Sequence, residues 1–199
     1  MKPGIQKKAW YVINGITLYR VIAAPFLLVL LFTGRYELFK WLLALSFFTD
    51  LIDGFLARKF NVTSVAGTRL DSIGDDLTIL VAMTGLFVMK PEFIKQEKVV
   101  FIILFALFLV QTMYAFIRYG KMTSFHTWLA KAAAILQGVF LLLFFFTGEP
   151  IMFLFYTAVI VTMLELTEEI MLVYLLPVWE TDVKGIFQVF KKKKQATRN

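Results

Sequence analysis

Thr49–Asp76 reads TDLIDGFLARKFNVTSVAGTRLDSIGDD, and its flanks on both sides are long apolar runs. Asp50, Asp53, Asp71, Asp75 and Asp76 fall inside it, five of the chain's 14 acidic residues. Asp50 and Asp53 are three apart and Asp71 and Asp75 four apart, so on helices each pair shares a face. The polar stretch KFNVTSVAG between them suits a turn at a membrane surface. Two helix ends would then present four carboxylates to one another. Charged groups at membrane depth are costly and normally line a polar cavity.

The rest of the chain sets that depth. Of 199 residues, 59% are hydrophobic and 22 are phenylalanine, and the mean hydropathy is +0.75. Apolar runs of about 20 residues recur, the length that crosses a hydrocarbon core. Six are expected, at roughly 12–33, 36–57, 69–89, 98–118, 126–147 and 150–176. Turn signals separate them at Thr33-Gly34, Gly67, Lys90-Pro91, Gly120 and Gly148-Glu149-Pro150. The expected fold is an all-α integral membrane protein, six transmembrane helices in one bundle with a cytoplasm-facing polar cavity. The membrane domain covers 1–176, and 177–199 is a basic cytoplasmic tail. The N-terminal MKPGIQKKAWYVINGITLYR is too polar for a removable signal peptide.

Charge gives the orientation. Fifteen basic residues fall on one side and five on the other, with Arg20 inside the first segment. Both termini are therefore expected on the cytoplasmic side, and the expected location is a bacterial inner membrane. The net charge of +7 is accounted for by this asymmetry, so no nucleic-acid partner is expected. The tail VFKKKKQATRN suits anionic headgroups. Cysteine is absent and His126 is the sole histidine, which excludes disulfides, thiolate metal sites and histidine clusters.

Four carboxylates held together call for a cation, and all-oxygen ligation favours Mg²⁺ or Mn²⁺. Gly54 and Ala57 allow close approach to the backbone, and Arg58 offers a planar fork for phosphate oxygens. The combination describes a metal–diphosphate site. The plainer alternative makes the aspartates helix caps paired with Arg58, Lys59 and Arg69. It accounts for one aspartate better than for four at helical spacing.

Asp50-x-x-Asp53-Gly54-x-x-Ala57-Arg58, eight residues, then Gly67-x-x-x-Asp71-x-x-x-Asp75 resembles the signature of the CDP-alcohol phosphatidyltransferase family at all eight fixed positions. The resemblance implies six transmembrane helices, a homodimer and a cytoplasm-facing site. Its implied reaction displaces CMP from a CDP-linked lipid, here CDP-diacylglycerol, by a small polar alcohol. It also implies that Asp50, Asp53, Asp71 and Asp75 hold two divalent ions and that Asp75 is the general base. Gly54, Ala57, Arg58 and Gly67 would contact or make room for the CDP moiety, and Ser64 would lie near the nucleotide. Asp76 falls outside the signature and receives no role.

Asn14 and Thr17, in NGITLYRVIAAP, resemble the family's Asn-x-x-Thr-x-x-Arg segment beside the CDP-lipid diphosphate. Helix capping is the competing reading for both. Arg118, Lys121 and Lys131 are candidate ligands for a phosphorylated acceptor such as glycerol 3-phosphate, with membrane anchoring as the alternative. Inositol phosphate, serine and other polyols stay open, as does transfer of a CDP-linked head group to a lipid alcohol. A cation transporter is the remote non-enzyme alternative. His126 reads as a loop hydrogen-bonder. Glu165, Glu168 and Glu169 lie in an apolar segment, and at least one is expected to pair with Arg20, Arg118 or Lys131.

Overall fold

The computed structural model describes residues 3–60, 65–123, 125, 127–180 and 183–196, without the side chains of 3–10, 12–14, 51, 53–60, 65–72, 75, 76 and 192–196. Eight helices are present among these residues: α1 (Pro3–Phe32), α2 (Tyr36–Phe60), α3 (Val65–Met89), α4 (Pro91–Gln96), α5 (Lys98–Tyr119), α6 (Trp128–Thr147), α7 (Met152–Leu175) and α8 (Ile186–Ala196). No strand occurs among the described residues. The all-helical expectation holds because long runs of Leu, Phe, Ile and Ala leave the backbone to satisfy itself locally.

The boundaries shift in instructive places. α1 starts at Pro3, nine residues before the apolar run begins. α2 continues to Phe60 and α3 begins at Val65, so both ends of the polar stretch are helical, and 61–64, where the turn is expected, lie outside the described residues. Part of the expected tail forms α8.

Among the described residues, three segments are long and apolar enough to cross a membrane: Gly15–Phe32, Lys98–Tyr119 and Trp128–Thr147. Leu77–Met89 is a shorter apolar stretch. Their large side chains point outward, Phe26, Ile102, Phe105, Ile117 and Ile135 among them. Such faces suit lipid. In α2, α3 and α7 the apolar pattern is interrupted by Asp50 and Asp53, by Asp71, Asp75 and Asp76, and by Glu165, Glu168 and Glu169.

The chain divides after Pro91 into two compact units. In the first, α1 packs along both α2 and α3, which touch each other far less than either touches α1. The core comprises Ala23, Ala24, Leu27, Leu30 and Leu31 of α1, Phe39 and Leu43 of α2, and Val81, Ala82 and Leu86 of α3. Gly34 closes α1 with φ +72°, and the Arg35 N–H returns to the Leu30 carbonyl at 2.9 Å. Glycine takes that left-handed conformation without the Cβ penalty.

In the second unit α7 is central, with α5 and α6 against it and α8 on its end. At one end Phe93, Phe140 and Phe155 form an aromatic core, with Phe93 edge-on to Phe155 at 4.9 Å between ring centres. At the other, Ala115, Phe125, Leu172, Val173, Leu176, Val183 and Val189 close together. Thr127 caps α6, its hydroxyl oxygen accepting the Ala130 N–H at 3.0 Å.

Candidate functional site

The aspartate signature lies wholly in the first unit, and its two halves fall on helices as the spacing predicts. Asp50, Asp53, Gly54, Ala57 and Arg58 are on α2, and Gly67, Asp71 and Asp75 are on α3. Ser64 and His126 lie outside the described residues. So do the side chains of Asn14, Asp53, Gly54–Arg58, Gly67, Asp71, Asp75 and Asp76. Among the described residues no group of three or more metal-ligating side chains stands together.

Asp50 is the signature carboxylate whose surroundings are visible. Its Oδ1 accepts from Arg20 Nη1 at 2.5 Å, with the Arg20 side chain 0% exposed and that of Asp50 44% exposed. A guanidinium stays charged even when buried, so α1 requires an anion at this depth. Asp50 supplies it. A carboxylate has about four lone-pair positions over two oxygens, so the arginine holds one edge and leaves acceptor capacity for a cation. An exposed, pre-oriented oxygen donor on a helix face fits a hard divalent ion.

Gly74 supports the arginine from the third helix. A Cβ built there would stand 3.5 Å from Arg20 Cβ and 3.6 Å from its Nε and Cζ. The absent side chain lets α3 lie against the stem of Arg20. Four residues on, buried Thr78 returns its hydroxyl to the Gly74 carbonyl at 2.8 Å. Ser46 and Thr49 likewise bond to their own helix, at Leu42 and Ser46 carbonyls. Each hydroxyl is thus satisfied within its own helix, with Ser46 and Thr78 buried and Thr49 partly exposed.

Thr17 is buried on the same face of α1 as Arg20, one turn earlier. Because α1 starts at Pro3, neither Asn14 nor Thr17 stands at a helix terminus, and the capping alternative falls. An open apolar recess of about 330 Å³ is lined by Tyr11, Gly15, Ile16, Tyr19, Leu45 and Thr49, the last being the neighbour of Asp50 along α2. Tyr19 Oη is buried with no hydrogen-bond partner among the described residues.

The candidate acceptor residues belong to the second unit, near the end of α5 and the start of α6. Arg118 donates from Nε and Nη2 to the Leu176 carbonyl at 3.3 and 3.2 Å. Tyr119 Oη donates to the same carbonyl at 3.0 Å, so both complete the exposed end of α7. Arg118 keeps three of its five N–H donors. Lys121 Nζ lies 3.9 Å from the Trp179 ring centre, and Lys131 Nζ lies 5.0 Å from that of Trp128.

The pairing expected for the α7 acids is not what the described residues show. Arg20 meets Asp50, Arg118 meets a carbonyl and Lys131 meets a ring. Glu169 Oε2 instead accepts from Gln111 Nε2 at 2.6 Å and from Thr123 Oγ1 at 2.9 Å. Glu168 Oε1 accepts the Ile186 N–H at 3.1 Å. Amide, hydroxyl and backbone donors are what Glu168 and Glu169 accept from. Gln111 and Gly74 were the residues that sequence reasoning passed over. A lone glutamine inside FALFLVQTMYAF was the available signal for the first.

A family profile described as CDP-alcohol phosphatidyltransferase matches residues 10–174. The chain belongs to that family. Among curated relatives, it is 29% identical over 127 residues to a CDP-diacylglycerol–glycerol-3-phosphate 3-phosphatidyltransferase of Rickettsia typhi, covering 62% of this chain and 70% of that one. It is 35% identical over 83 residues to a CDP-diacylglycerol–inositol 3-phosphatidyltransferase of Saccharomyces cerevisiae, covering 42% and 37%. It is 31% identical over 85 residues to a CMP-forming cardiolipin synthase of Homo sapiens, covering 42% and 28%. The chain thus spans well under half the length of the yeast and human relatives. No solved structure matches it.

Proposed function

We propose that this member of the family is a membrane-embedded phosphatidyltransferase that moves the phosphatidyl group of CDP-diacylglycerol to glycerol 3-phosphate and releases CMP. The observation that carries the reading is Asp50. Buried Arg20 orients this half-exposed carboxylate on α2, at the head of the matched signature and next along the helix to Thr49, which lines an apolar recess. A polar anchor one residue from an apolar groove suits a substrate that is half diphosphate and half hydrocarbon.

Asp50, Asp53, Asp71 and Asp75 are the residues that would hold two divalent ions, Mg²⁺ or Mn²⁺. When bound, these ions neutralise the diphosphate and stabilise charge on the departing phosphate. Asn14, Thr17, Gly54, Ala57, Arg58, Ser64 and Gly67 serve the CDP-lipid in this proposal. Asp75 takes the proton of the acceptor hydroxyl. The acceptor oxygen bonds to the lipid-side phosphorus, the bond from that phosphorus to the bridging oxygen breaks, and CMP leaves with the oxygen. Arg118, Lys121 and Lys131 hold the acceptor phosphate. Six spans, cytoplasmic termini and a homodimer complete the proposal; the span count alone is supported by six helices of 20 residues or more among the described residues.

The yeast relative, named for inositol, favours a second acceptor under the same chemistry. One experiment tests both. Purified protein receives CDP-diacylglycerol and each of glycerol 3-phosphate, inositol, inositol phosphate and serine, with CMP and the new phospholipid measured. CMP release with glycerol 3-phosphate, lost with chelator and restored by Mg²⁺ or Mn²⁺, is expected. No CMP release with any acceptor would sink the reading.

A further inference from the structure

Helix α8 (Ile186–Ala196) has 11 residues, too few to cross a bilayer. Ile186, Val189, Phe190 and Phe187 form one continuous apolar arc around it at helical spacing. The second unit covers only part of that arc. Val189 is buried in the cluster of Ala115, Phe125, Leu172, Val173, Leu176 and Val183, and Ile186 packs on it. Phe187 is 91% exposed and Phe190 50% exposed. Gln188 and Lys191 lie on the polar side, and the helix continues through Lys192, Lys193 and Lys194.

Two contacts fix where the helix starts. Trp128 is the first residue of α6, one of the segments able to span, and its N–H donates to the Lys184 carbonyl at 3.3 Å. α8 therefore begins at the level where α6 enters the bilayer. Exposed Trp128 beneath Lys131, and Trp179 beneath Lys121, are the aromatic–cation pairs expected at that level. Glu168 of α7 then grips the helix start through the Ile186 N–H. Gly185 has φ +141°, and a Cβ there would sit 3.0 Å from Glu168 Oε1, so glycine is what lets the carboxylate reach.

We propose that α8 is a surface-lying membrane helix and that its partner is an anionic phospholipid leaflet. Phe187 and Phe190 enter the acyl-chain boundary, the lysine run that begins at Lys191 gives the sequence positive charge for an anionic surface, and Glu168 fastens the helix to α7. The uncovered apolar arc next to four consecutive lysines is complementary to an anionic surface and to little else. The inference rests on α6 spanning the bilayer and not on the proposed chemistry.

The chain's lack of cysteine makes site-specific labelling direct. Phe187→Cys, Phe190→Cys and Gln188→Cys variants of the full chain carry a fluorophore in nanodiscs of phosphatidylcholine, with or without phosphatidylglycerol. Brominated acyl chains are expected to quench labels at 187 and 190 several-fold more than at 188. Phosphatidylglycerol should strengthen that quenching. Each lysine-to-glutamine change in 191–194 should weaken the membrane-seated population about fivefold, and Glu168→Ala should raise label mobility at 187. Equal quenching of all three positions by aqueous acrylamide in anionic discs would overturn the proposal. Shielding of 187 from both quenchers, with cross-linking between copies through that position, would overturn it in favour of a second copy of the chain.

Discussion

Arg20 of α1 and Asp50 of α2 form an ion pair in which the cation is wholly enclosed and the anion is nearly half open to its surroundings. The asymmetry separates two jobs within one pair. The guanidinium supplies fixed positive charge from inside the unit, and the carboxylate spends only part of its bonding capacity on it.

Asp50→Ala is expected to cost about 2 kcal/mol of stability, because a buried cation loses an anionic partner, while Asp50→Asn costs less by keeping an oxygen acceptor. Both should abolish turnover if Asp50 is a metal ligand. Thermal unfolding in detergent beside a CMP-release assay checks the pair. Equal stability of the two variants would remove Arg20 from dependence on Asp50.

Gly74→Ala is expected to be tolerated, since its Cβ would make ordinary contacts at 3.5–3.6 Å and alanine favours a helix by about 1 kcal/mol over glycine. Gly74→Leu should displace Arg20 and lower turnover at least about tenfold, on the scale of a misplaced catalytic group. Parallel melting and activity curves decide it.

Glu169→Leu should destabilise the second unit by about 2 kcal/mol, because the Gln111 amide and Thr123 hydroxyl lose a buried acceptor. Adding Gln111→Leu should recover part of that loss. A double-mutant cycle that came out additive would show that the two residues are not coupled.

Arg118→Ala is expected to cost about 1 kcal/mol through the two bonds to the Leu176 carbonyl. It should also raise the acceptor KM about tenfold, with little change in the KM for CDP-diacylglycerol. Arg118→Lys restores charge but not the fork, so it should recover the acceptor KM only partly. An unchanged acceptor KM would leave Arg118 as a cap of α7 alone.

The helices and the aspartate spacing were legible in the chain because both are local. A run of apolar residues makes a helix wherever it stands, and three- and four-residue spacings give a shared face whatever packs against it. Partner choice is not local. Arg20 announced that it needed a partner, and the α7 glutamates were the acids named for it, whereas Asp50, 30 residues on, was not. Packing of α1 against α2 is what brings Asp50 to it. The start of α1 was missed because PGIQKKAWYVI is polar enough to read as a surface segment, although it has the length to wind. Gly74 was passed over for a different reason. It is a variable position within the signature, and only a view of Arg20 lying against α3 gives its missing side chain a meaning.

Because α1 carries α2 and α3 on two sides while these barely touch, the aspartate-bearing helices behave like two jaws on a common spine. Their gap is set by how each seats on α1, through Phe39 and Leu43 on one side and Val81, Ala82 and Leu86 on the other. Each aspartate-bearing helix is therefore placed by its own seam with α1, so a change in one seam shifts its carboxylates without repacking the other.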